Sequence, residues 1–494
     1  MNPFYHSTRD NSRLVTSKQA ILTGIAPDGG LFVSDAVGET KLDVAALPSQ
    51  TYHQTARQIL GMLLGDYADE ELASCVGGAY AANFDTPAVT PLSPLGDDWL
   101  LELYHGPTCA FKDVALQMLP RLMSVARAEG GRDIMIVTAT SGDTGKAALA
   151  GFAGVEGTGV TVFYPEGKVS EIQHLQMATQ TGANVAVCGV NGTFDDCQTE
   201  VKRIFANREV TGRLAGRGVT LSSANSINVG RLVPQVVYYA DAYAQLARRS
   251  VIAVGDVVDF CVPTGNFGDV LAGYYAKRMG LPVGTLTVAS NSNRVLTDFF
   301  ETGVYDRRRD FIQTISPSMD ILVSSNLERM LYYLTEGDCE RVAAWMRELA
   351  DTGAYSIGDD LLAKLRETFR CGCATDDETR ATIRATWEGN HVLVDTHTAV
   401  ATCVMGREAH RGHQRVCLST ANPYKFSPDV LAALGEDTAA LDDFACMDRL
   451  QELTGTCAPP QLSGLRDAPI THDSLCERDE MTSFVERACA RVFS

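Results

Sequence analysis

The chain has 494 residues and a formal net charge of −19, from 61 acidic and 42 basic residues, with 45% hydrophobic and 21% charged residues. This length allows two to four domains with a large buried core, and the composition is ordinary for a soluble globular enzyme. The acidic balance argues against a nucleic-acid binder or a polybasic membrane binder, although a local basic pocket can still bind a small anion.

The 14 cysteines are scattered along the chain, and their tightest spacing is Cys371-Gly372-Cys373. Ligands clustered at the spacings that zinc requires are absent from the sequence, so we predict no metal site. Scattered thiols in an acidic chain of this size predict a reducing, cytoplasmic compartment. The first ten residues lack the pattern of a signal peptide, and no apolar run is long enough to cross a bilayer, so we expect no membrane association.

The opening of the chain predicts a cap on the region that follows it. It contains a short helix at 17–24, a tight turn and a strand within 26–33, and two helical stretches around 50–65 and 68–83. Prolines at 87, 91 and 94 punctuate its end.

Strands and helices then alternate. Short apolar runs predict strands at 133–140, 160–164, 184–190, 219–222 and 257–263, and helices are predicted between them, the longest at about 230–247. Continuous apolar runs of this length are typical of buried parallel strands. The alternation predicts an α/β fold with a mostly parallel sheet that is covered by helices on both faces.

The pattern changes again in the second half of the chain. Residues 326–390 lose the strand signal, and strand character returns at 391–394 and 414–418. The predicted organisation is an N-terminal cap domain at 1–90, an α/β core of two lobes at 91–325 and 391–430, a helical insertion at 326–390, and an acidic, helical C-terminal region at 431–494.

Lys112 is the first candidate for chemistry. It follows the turn-forming stretch 105–111 and directly precedes a segment with helical character. The dipole at a helix N-terminus disfavours a cation and so favours the neutral amine. Lysine amines form Schiff bases with carbonyl compounds, above all with pyridoxal phosphate (PLP). A lone lysine in such a place is far more often a solvated surface residue, so the rest of the chain must support the assignment.

Three loops that follow predicted strands could bind a ligand, because ligands bind at the carboxyl ends of strands in open α/β sheets. The loop 141–145 and the loop 264–269 combine glycines with a helix start, which suits an anion, and Thr420 could offer a hydroxyl to a ring nitrogen. Each loop alone also reads as an ordinary turn. A nucleotide-binding Walker loop is disfavoured, because Thr140 replaces its first glycine and Ala147 replaces its magnesium-binding hydroxyl.

Basic residues near these loops could pair with a second anion. Lys168 and Arg231 are the candidates, although each alone is more often a solvated charge. His105 and His397 do not cluster with other ligand-type residues, and such histidines are more often core or turn residues than bases or ligands.

In this order, the lysine stretch 105–113 and the two glycine loops resemble the threonine synthase family of PLP enzymes. Other segments that are similar to the family lie at 5–9, 26–33, 316–321, 324–329, 395–400 and 419–423, so the resemblance covers nearly the whole chain. The helical insertion resembles the larger, fungal- and enterobacterial-like branch. One departure is Asn422, where the family commonly has His, and this puts the local tuning of the cofactor ring in question.

The resemblance implies PLP fold type II, with two mostly parallel-sheet α/β domains, and it assigns roles to residues. Lys112 is implied to be the catalytic lysine that carries PLP as a Schiff base. The implied contacts of the cofactor phosphate are Gly265, Asn266, Phe267, Gly268 and Asp269, and Thr420 is implied to face the pyridine nitrogen. The implied contacts of the substrate are Ser141, Asp143, Thr144, Lys168, Asn228 and Arg231.

The implied reaction converts O-phospho-L-homoserine and water to L-threonine and phosphate, the last step of threonine biosynthesis. The resemblance also favours a monomer whose only partner is this small substrate. Two alternatives stay open at this point. One is a related PLP-dependent phospholyase or dehydratase of hydroxy- or phospho-amino acids, and the other is a non-catalytic paralogue, which the intact lysine and loops disfavour.

Overall fold

The computed structural model describes residues 4–140 and 142–494. The first part of the chain is mostly helical, and side-chain caps start two of its helices. Thr16 and Thr51 each accept a hydrogen bond from the backbone N–H three residues later, and a glutamine at that position completes a capping box in both cases. The elements here are β1 (His6–Ser7), α1 (Ser17–Thr23), β2 (Phe32–Val33), α2 (Ala36–Glu39), a 3-10 turn (Leu47–Ser49), α3 (Tyr52–Leu63) and α4 (Asp69–Ala79).

The next part alternates strands and helices, and it confirms the four strands that the sequence predicts there. Their ends differ from the predicted ones by at most two residues, and those of β8 agree. The elements are β3 (Leu92–Leu95), β4 (Asp98–Glu102), α5 (Lys112–Leu116), α6 (Leu119–Ala128), β5 (Asp133–Ala139), α7 (Asp143–Phe152), β6 (Thr158–Pro165), α8 (Glu171–Ala178), β7 (Val185–Val190), α9 (Phe194–Ala206), α10 (Arg208–Gly216) and β8 (Val219–Ser222).

The middle of the chain contains the segment 326–390, which the sequence predicts as a helical insertion. The structure is helical there for the most part, but the segment also contributes two strands. The elements are α11 (Val229–Arg248), β9 (Val258–Pro263), α12 (Gly268–Arg278), β10 (Val283–Ser290), α13 (Val295–Thr302), β11 (Val304–Asp306), a 3-10 turn (Pro317–Met319), α14 (Leu327–Leu334), α15 (Cys339–Thr352), β12 (Ala354–Ser356), α16 (Asp359–Thr368), β13 (Phe369–Cys373) and α17 (Asp376–Asn390).

In the last part, the strand predicted at 391–394 is wrong, because the chain is irregular there and Asp395 immediately caps the next helix. The elements are α18 (Thr396–Arg407), β14 (Gln414–Ser419), a 3-10 turn (Pro423–Phe426), α19 (Ser427–Ala433), α20 (Asp443–Thr454), α21 (Pro460–Ser463), a 3-10 turn (Gly464–Asp467), β15 (Leu475–Cys476), a 3-10 turn (Arg478–Glu480) and α22 (Met481–Val492). The region after 430 is therefore helical as predicted, apart from β15.

Two sheets organise the molecule. A five-stranded sheet has the order β15-β7-β6-β5-β8 and is parallel throughout. A six-stranded sheet has the order β13-β10-β9-β14-β4-β3, in which only the pair β3–β4 is antiparallel. This confirms the predicted α/β class with two mostly parallel sheets. No helix among the described residues is both long and apolar enough to cross a membrane.

The carboxyl ends of the strands position the candidate residues. In the five-stranded sheet, β5 leads towards the start of α7 and β8 leads into the start of α11. In the six-stranded sheet, β4 leads towards Lys112, β9 into the loop 264–268, and β14 to Thr420. Loops of this kind are where ligands bind in parallel α/β sheets, and contacts between them join the two sheets.

Candidate active site

Lys112 lies at the first position of α5, in a largely buried environment. Its Nζ donates a hydrogen bond to Ser318 Oγ at 3.2 Å and lies 3.8 Å from Asp143 Oδ2, and its side chain is 12% exposed. Burial lowers the pKa of Lys112 to about 8; the charge of Asp143 opposes this shift, whereas those of Lys425 and Arg231 add to it. A lower pKa increases the fraction of neutral amine near pH 7, which is the form that attacks carbonyl carbon.

A short backbone ladder holds Lys112 beside Thr420. Phe111 N donates to Thr420 O at 2.8 Å, and Asn422 N donates to Cys109 O at 3.1 Å. Thr420 is buried and directly follows β14. The ladder thus brings together the lysine and the threonine that the sequence singles out in two distant segments.

Lys425 is a buried cation to which the sequence analysis assigns no role. The turn that carries it, Pro423–Phe426, begins where Asn422 Oδ1 accepts a bond from a backbone N–H of the turn at 3.0 Å. The turn directs Lys425 inward, where its Nζ donates to Thr108 O at 3.1 Å and forms an ion pair with Asp143. Asn422 therefore has a clear local role as the cap of this turn.

Asp143 lies between two lysines. Its Oδ1 contacts Lys425 and its Oδ2 faces Lys112, while Lys146 donates from the same helix to Thr108 O at 3.1 Å. Burial by itself raises the pKa of Asp143, but the ammonium groups of Lys425, Lys112 and Lys146 outweigh it and hold this pKa well below its usual range. Because a carboxylate repels carboxylate and phosphate groups, this geometry suits a counter-ion for lysines better than a direct contact with an anionic substrate.

The loop after β9 presents backbone N–H groups at the start of α12. Phe267 has a left-handed φ of 62°, and its ring packs against Phe300 and Phe369, which anchors the loop in the core. The first N–H groups of α12 have no partner within the helix, and they favour an anion together with the helix dipole. A Cβ at Gly265 would lie 2.7 Å from Ser318 O, so only glycine fits there without displacing backbone.

The other members of this loop differ in where their side chains point. Asn266 is exposed and Gly268 is half-buried, so ligand contacts at both positions are available from the backbone. Asp269 is buried and accepts hydrogen bonds from Tyr238 at 2.5 Å and from Tyr239 at 3.1 Å. Burial raises the pKa of Asp269 to about 7, although these two hydroxyls oppose the shift. Its carboxyl therefore faces α11 rather than the loop.

Arg231 is a buried cation without a carboxylate partner among the described residues. It is 3% exposed, its Nη1 donates to Ala224 O at 2.9 Å, and its Nε has no hydrogen-bond partner in the described part of the chain. Burial lowers the pKa of Arg231 to about 10. A buried guanidinium with an unused N–H is costly unless an anion binds it. Since its charge also acts on Lys112, this position is suited to an anion near that lysine.

The remaining predicted substrate contacts differ in burial and in position. The side chain of Asn228 caps α11 and donates to a backbone carbonyl of α1 at 2.9 Å, so it fixes the start of the helix that carries Arg231. Thr144 is half-buried in the first turn of α7. Lys168 is exposed in the turn after β6. Ser141 lies outside the described residues.

The 3-10 turn Pro317–Met319 belongs to the site, although the sequence analysis assigns it no role. His397 Nε2 accepts a bond from Ser318 N at 3.1 Å, and its Nδ1 lies 2.7 Å from Asp395 Oδ2, which fixes the ring. Ser318 is thereby held with its Oγ at Lys112 and its carbonyl against Gly265. The turn lies in the segment 316–321, which is similar to the family. That similarity is the sequence feature that could have identified the turn as part of the site.

These groups fit a phosphate-bearing aldehyde such as PLP. Lys112 supplies an amine with a lowered pKa, and the loop 265–268, which touches the same turn as Lys112, supplies backbone donors for a phosphate. Thr420 supplies a hydroxyl next to the lysine segment. The site thus combines an amine for the carbonyl carbon with a separate cradle for the phosphate.

Sequence models of three families match the chain. The model described as pyridoxal-phosphate dependent enzyme matches residues 85–359, which is more than half of the chain. The model of the threonine synthase N terminus matches residues 4–80, and that of the threonine synthase C-terminal region matches residues 398–475.

Individual relatives agree with these matches. Threonine synthase-like 1 of Homo sapiens is 38% identical over 96% of this chain, which spans 64% of that protein's length. The threonine synthase of Schizosaccharomyces pombe is 38% identical and is covered over 89% of its length by 87% of this chain. The crystal structure of PLP-bound threonine synthase from Brucella melitensis is 36% identical and superposes over 100% of both chains with a TM-score of 0.90, which confirms PLP fold type II. The chain belongs to the threonine synthase family of PLP-dependent enzymes.

Proposed function

We propose that the chain is a threonine synthase, which uses PLP on Lys112 to convert O-phospho-L-homoserine and water to L-threonine and phosphate. The observation that carries this proposal is that two separate groups near Lys112 are suited to anions. One is the backbone loop 265–268, and the other is the buried Arg231, whose Nε has no hydrogen-bond partner in the described part of the chain. A PLP enzyme with a phosphorylated substrate needs two such sites, one for each phosphate.

The cofactor would be held by groups that follow strands of the six-stranded sheet. Backbone N–H groups of the loop 265–268 and of Asp269 would bind its phosphate, with Phe267 as the anchor and Asn266 contributing through its backbone. The hydroxyl of Thr420 would face the ring nitrogen and leave it unprotonated. When bound, PLP supplies a carbonyl carbon for amines and withdraws electrons from the carbon that carries the amino group.

Lys112 and its neighbours would carry out the proton transfers. As a neutral amine, Lys112 Nζ removes the proton from Cα of the substrate, and Asp143 stabilises the ammonium group that results. Ser318 Oγ, 3.2 Å from Nζ, orients the amine. Over the whole reaction the Cγ–O bond to phosphate breaks and Cγ gains a proton. The oxygen of water then bonds to Cβ, which has lost a proton.

The substrate would be bound from the loops of the five-stranded sheet. Arg231 would hold the departing phosphate and offset its charge, with Asn228 fixing the helix that carries it. Ser141 and Thr144 would contact the substrate carboxylate, and Asp143 would act through its charge on the lysines. Lys168 is exposed, so it would reach the substrate only by a movement of its turn.

The test is release of phosphate and threonine from O-phospho-L-homoserine by purified protein, with and without added PLP. We expect equal amounts of both products, and none from Lys112→Ala. Lys364→Ala is the matched control, because this lysine is 42% exposed in a surface ion pair with Glu336 and should leave the rate unchanged.

Two outcomes would contradict the proposal in different ways. A yellow, PLP-loaded protein that releases neither product would exclude the substrate and point to a related phospholyase or dehydratase. Serine, threonine and phosphothreonine are the next substrates to compare. Failure of borohydride to fix PLP to the chain would instead indicate a non-catalytic paralogue.

We further propose that the chain acts as a monomer in the cytoplasm. The resemblance to the larger branch of the family favours the monomer. The 14 cysteines are free thiols, as a reducing compartment allows. Light scattering on the purified protein tests the first point, and a stable dimer would contradict it.

A further inference from the structure

Lys425 is a fully buried ammonium group that the proposed reaction does not use. It comes from the turn after β14 and reaches into the space between the lysine loop and α7. There it contacts Asp143 and the carbonyl of Thr108, which also accepts a hydrogen bond from Lys146. A buried lysine is costly to keep charged, so a specific role for its charge has to be considered.

Four charged groups act on Lys112 from the elements around it. They are Asp113 on its own helix, Asp143 on α7, Lys425 on the turn, and Arg231 on α11. The carboxylate of Asp113 is already bound by the backbone N–H and the hydroxyl of one residue in the preceding loop, at 2.8 Å and 2.7 Å. Asp143 is therefore the carboxylate in an ion pair with Lys112.

Lys112 and Lys425 each form an ion pair with a different oxygen of the Asp143 carboxylate. With Lys425 in place, Oδ1 of Asp143 is engaged and the carboxylate is held in one orientation, so Lys112 faces only Oδ2 at 3.8 Å. Without Lys425, the carboxylate is free to turn fully onto Lys112. A closer carboxylate favours the protonated lysine, which is neither a nucleophile nor a base.

We propose that Lys425 is a positioning residue that fixes the carboxylate of Asp143 and thereby keeps the Lys112 amine available for carbonyl attack and proton removal. The proposal rests on the proposed function, in which Lys112 is the reacting lysine. It assigns to Lys425 no contact with substrate or cofactor.

The first test measures the protonation of Lys112 directly. Full-length protein freed of PLP is labelled with a trace of an amine-reactive reagent over a range of pH, and the labelled fraction of Lys112 is read by mass spectrometry. In Lys425→Met we expect the midpoint of labelling to rise from near pH 8 by about one unit, so that labelling at pH 7 falls roughly tenfold. Lys425→Arg retains the charge and should restore most of the labelling.

Lys18→Met is the matched control for the loss of a buried lysine. Lys18 is 5% exposed and pairs with Glu71 and Glu129 in the N-terminal region. Lys18→Met should not change the labelling midpoint of Lys112. An unchanged midpoint in Lys425→Met, or an equal shift in Lys18→Met, would overturn the proposal.

The second test uses the PLP-loaded enzyme and the pH dependence of kcat/KM. In Lys425→Met the acid limb of the kcat/KM profile should move to higher pH by the same amount as the labelling midpoint. Above the shifted limb, kcat/KM should return to the value of the unchanged protein. A merely structural role would lower the rate at every pH without moving the limb. If the labelling midpoint moves but no variant forms threonine, the proposed substrate fails and the role of Lys425 stands.

A second variant covers the case in which Lys425→Met does not fold. Asp143→Asn removes the shared carboxylate, so the labelling midpoint of Lys112 should fall below that of the unchanged protein. A midpoint that stays in place in Asp143→Asn would contradict the proposal as directly as the first test.

Discussion

The loop 265–268 and the charged cluster around Lys112 touch the same turn, and yet they are suited to negative groups in opposite ways. The loop relies on backbone N–H groups, a helix dipole and a glycine with no room for a side chain. The cluster relies on the buried cations Lys112, Lys146, Arg231 and Lys425, which share few carboxylates. The loop depends on shape and carries no titrating cation, whereas the cluster depends on a balance of charges that changes with pH.

The two halves of the site should therefore fail differently. Added atoms should damage the loop, whereas the cluster should respond to lost charges.

The largest effect is expected from Gly265→Ala. Its Cβ would lie 2.7 Å from Ser318 O, so either the loop or the turn must move. We expect PLP affinity to fall about 100-fold, which corresponds to about 3 kcal/mol, as measured by absorbance titration. Gly77→Ala is the control, since its Cβ meets no atom within 4 Å, and it should bind PLP normally. Near-normal affinity in Gly265→Ala would show that shape does not control the loop.

Arg231→Met should weaken substrate binding without weakening the fold. We expect KM for O-phospho-L-homoserine to rise about 30-fold, since a charge-assisted hydrogen bond is worth about 2 kcal/mol. Thermal stability should stay equal or increase, because the variant removes a buried charge that has no carboxylate partner among the described residues. Arg217→Met, at an exposed position, should change neither quantity. A destabilised Arg231→Met with a normal KM would contradict the anion site.

Asp269→Asn should change how stability depends on pH. The pKa of Asp269 is about 7 in the folded chain, above its ordinary value, so its contribution to stability is present at low pH and lost as pH rises through 7. Between pH 6 and pH 8 this loss amounts to about 1 kcal/mol, and it should be absent in Asp269→Asn. Urea unfolding at pH 6 and pH 8 measures this change in the free energy of unfolding. An equal change in Asp269→Asn and in the unchanged protein would contradict the raised pKa of Asp269.

Asn422→His should have the smallest effect. Asn422 caps a turn and contributes its side chain to no other described contact of the site, so we expect PLP affinity to change less than about twofold. The lost cap should cost up to about 1 kcal/mol of stability in urea unfolding. A large change in PLP affinity or absorbance would show that position 422 tunes the cofactor ring.

Much of the fold could be predicted from the sequence, because buried parallel strands are continuous apolar runs. The sequence does not predict β13, because Gly372 between two cysteines gives no strand pattern. This segment is a strand through its pairing with β10. The run at 391–394 looks like a strand locally, but the cap at Asp395 starts a helix directly after it.

The sequence singles out candidate residues where their signals are local, as for Lys112, the loop 265–268 and Thr420, and the structure brings these three segments together. Lys425 and the turn at Ser318 were missed, because their roles depend on contacts between distant loops. The physical cause of the lowered pKa of Lys112 also differs from the one that the sequence indicates. The sequence points to a helix dipole, but α5 has only five residues, and burial is the main cause of the lower pKa of Lys112.

The position of β14 has a consequence for synthesis of the chain. β14 lies between β4 and β9, so the six-stranded sheet stays in two pieces until the ribosome has passed Ser419. About 300 residues separate β4 from that point, which is roughly 15 to 60 seconds at common translation rates of about 5–20 residues per second. During this interval β4 exposes an unpaired strand edge, and β9 does the same once it has been synthesised; such an edge is a template for aggregation. The nascent chain is therefore expected to need chaperone protection until β14 emerges.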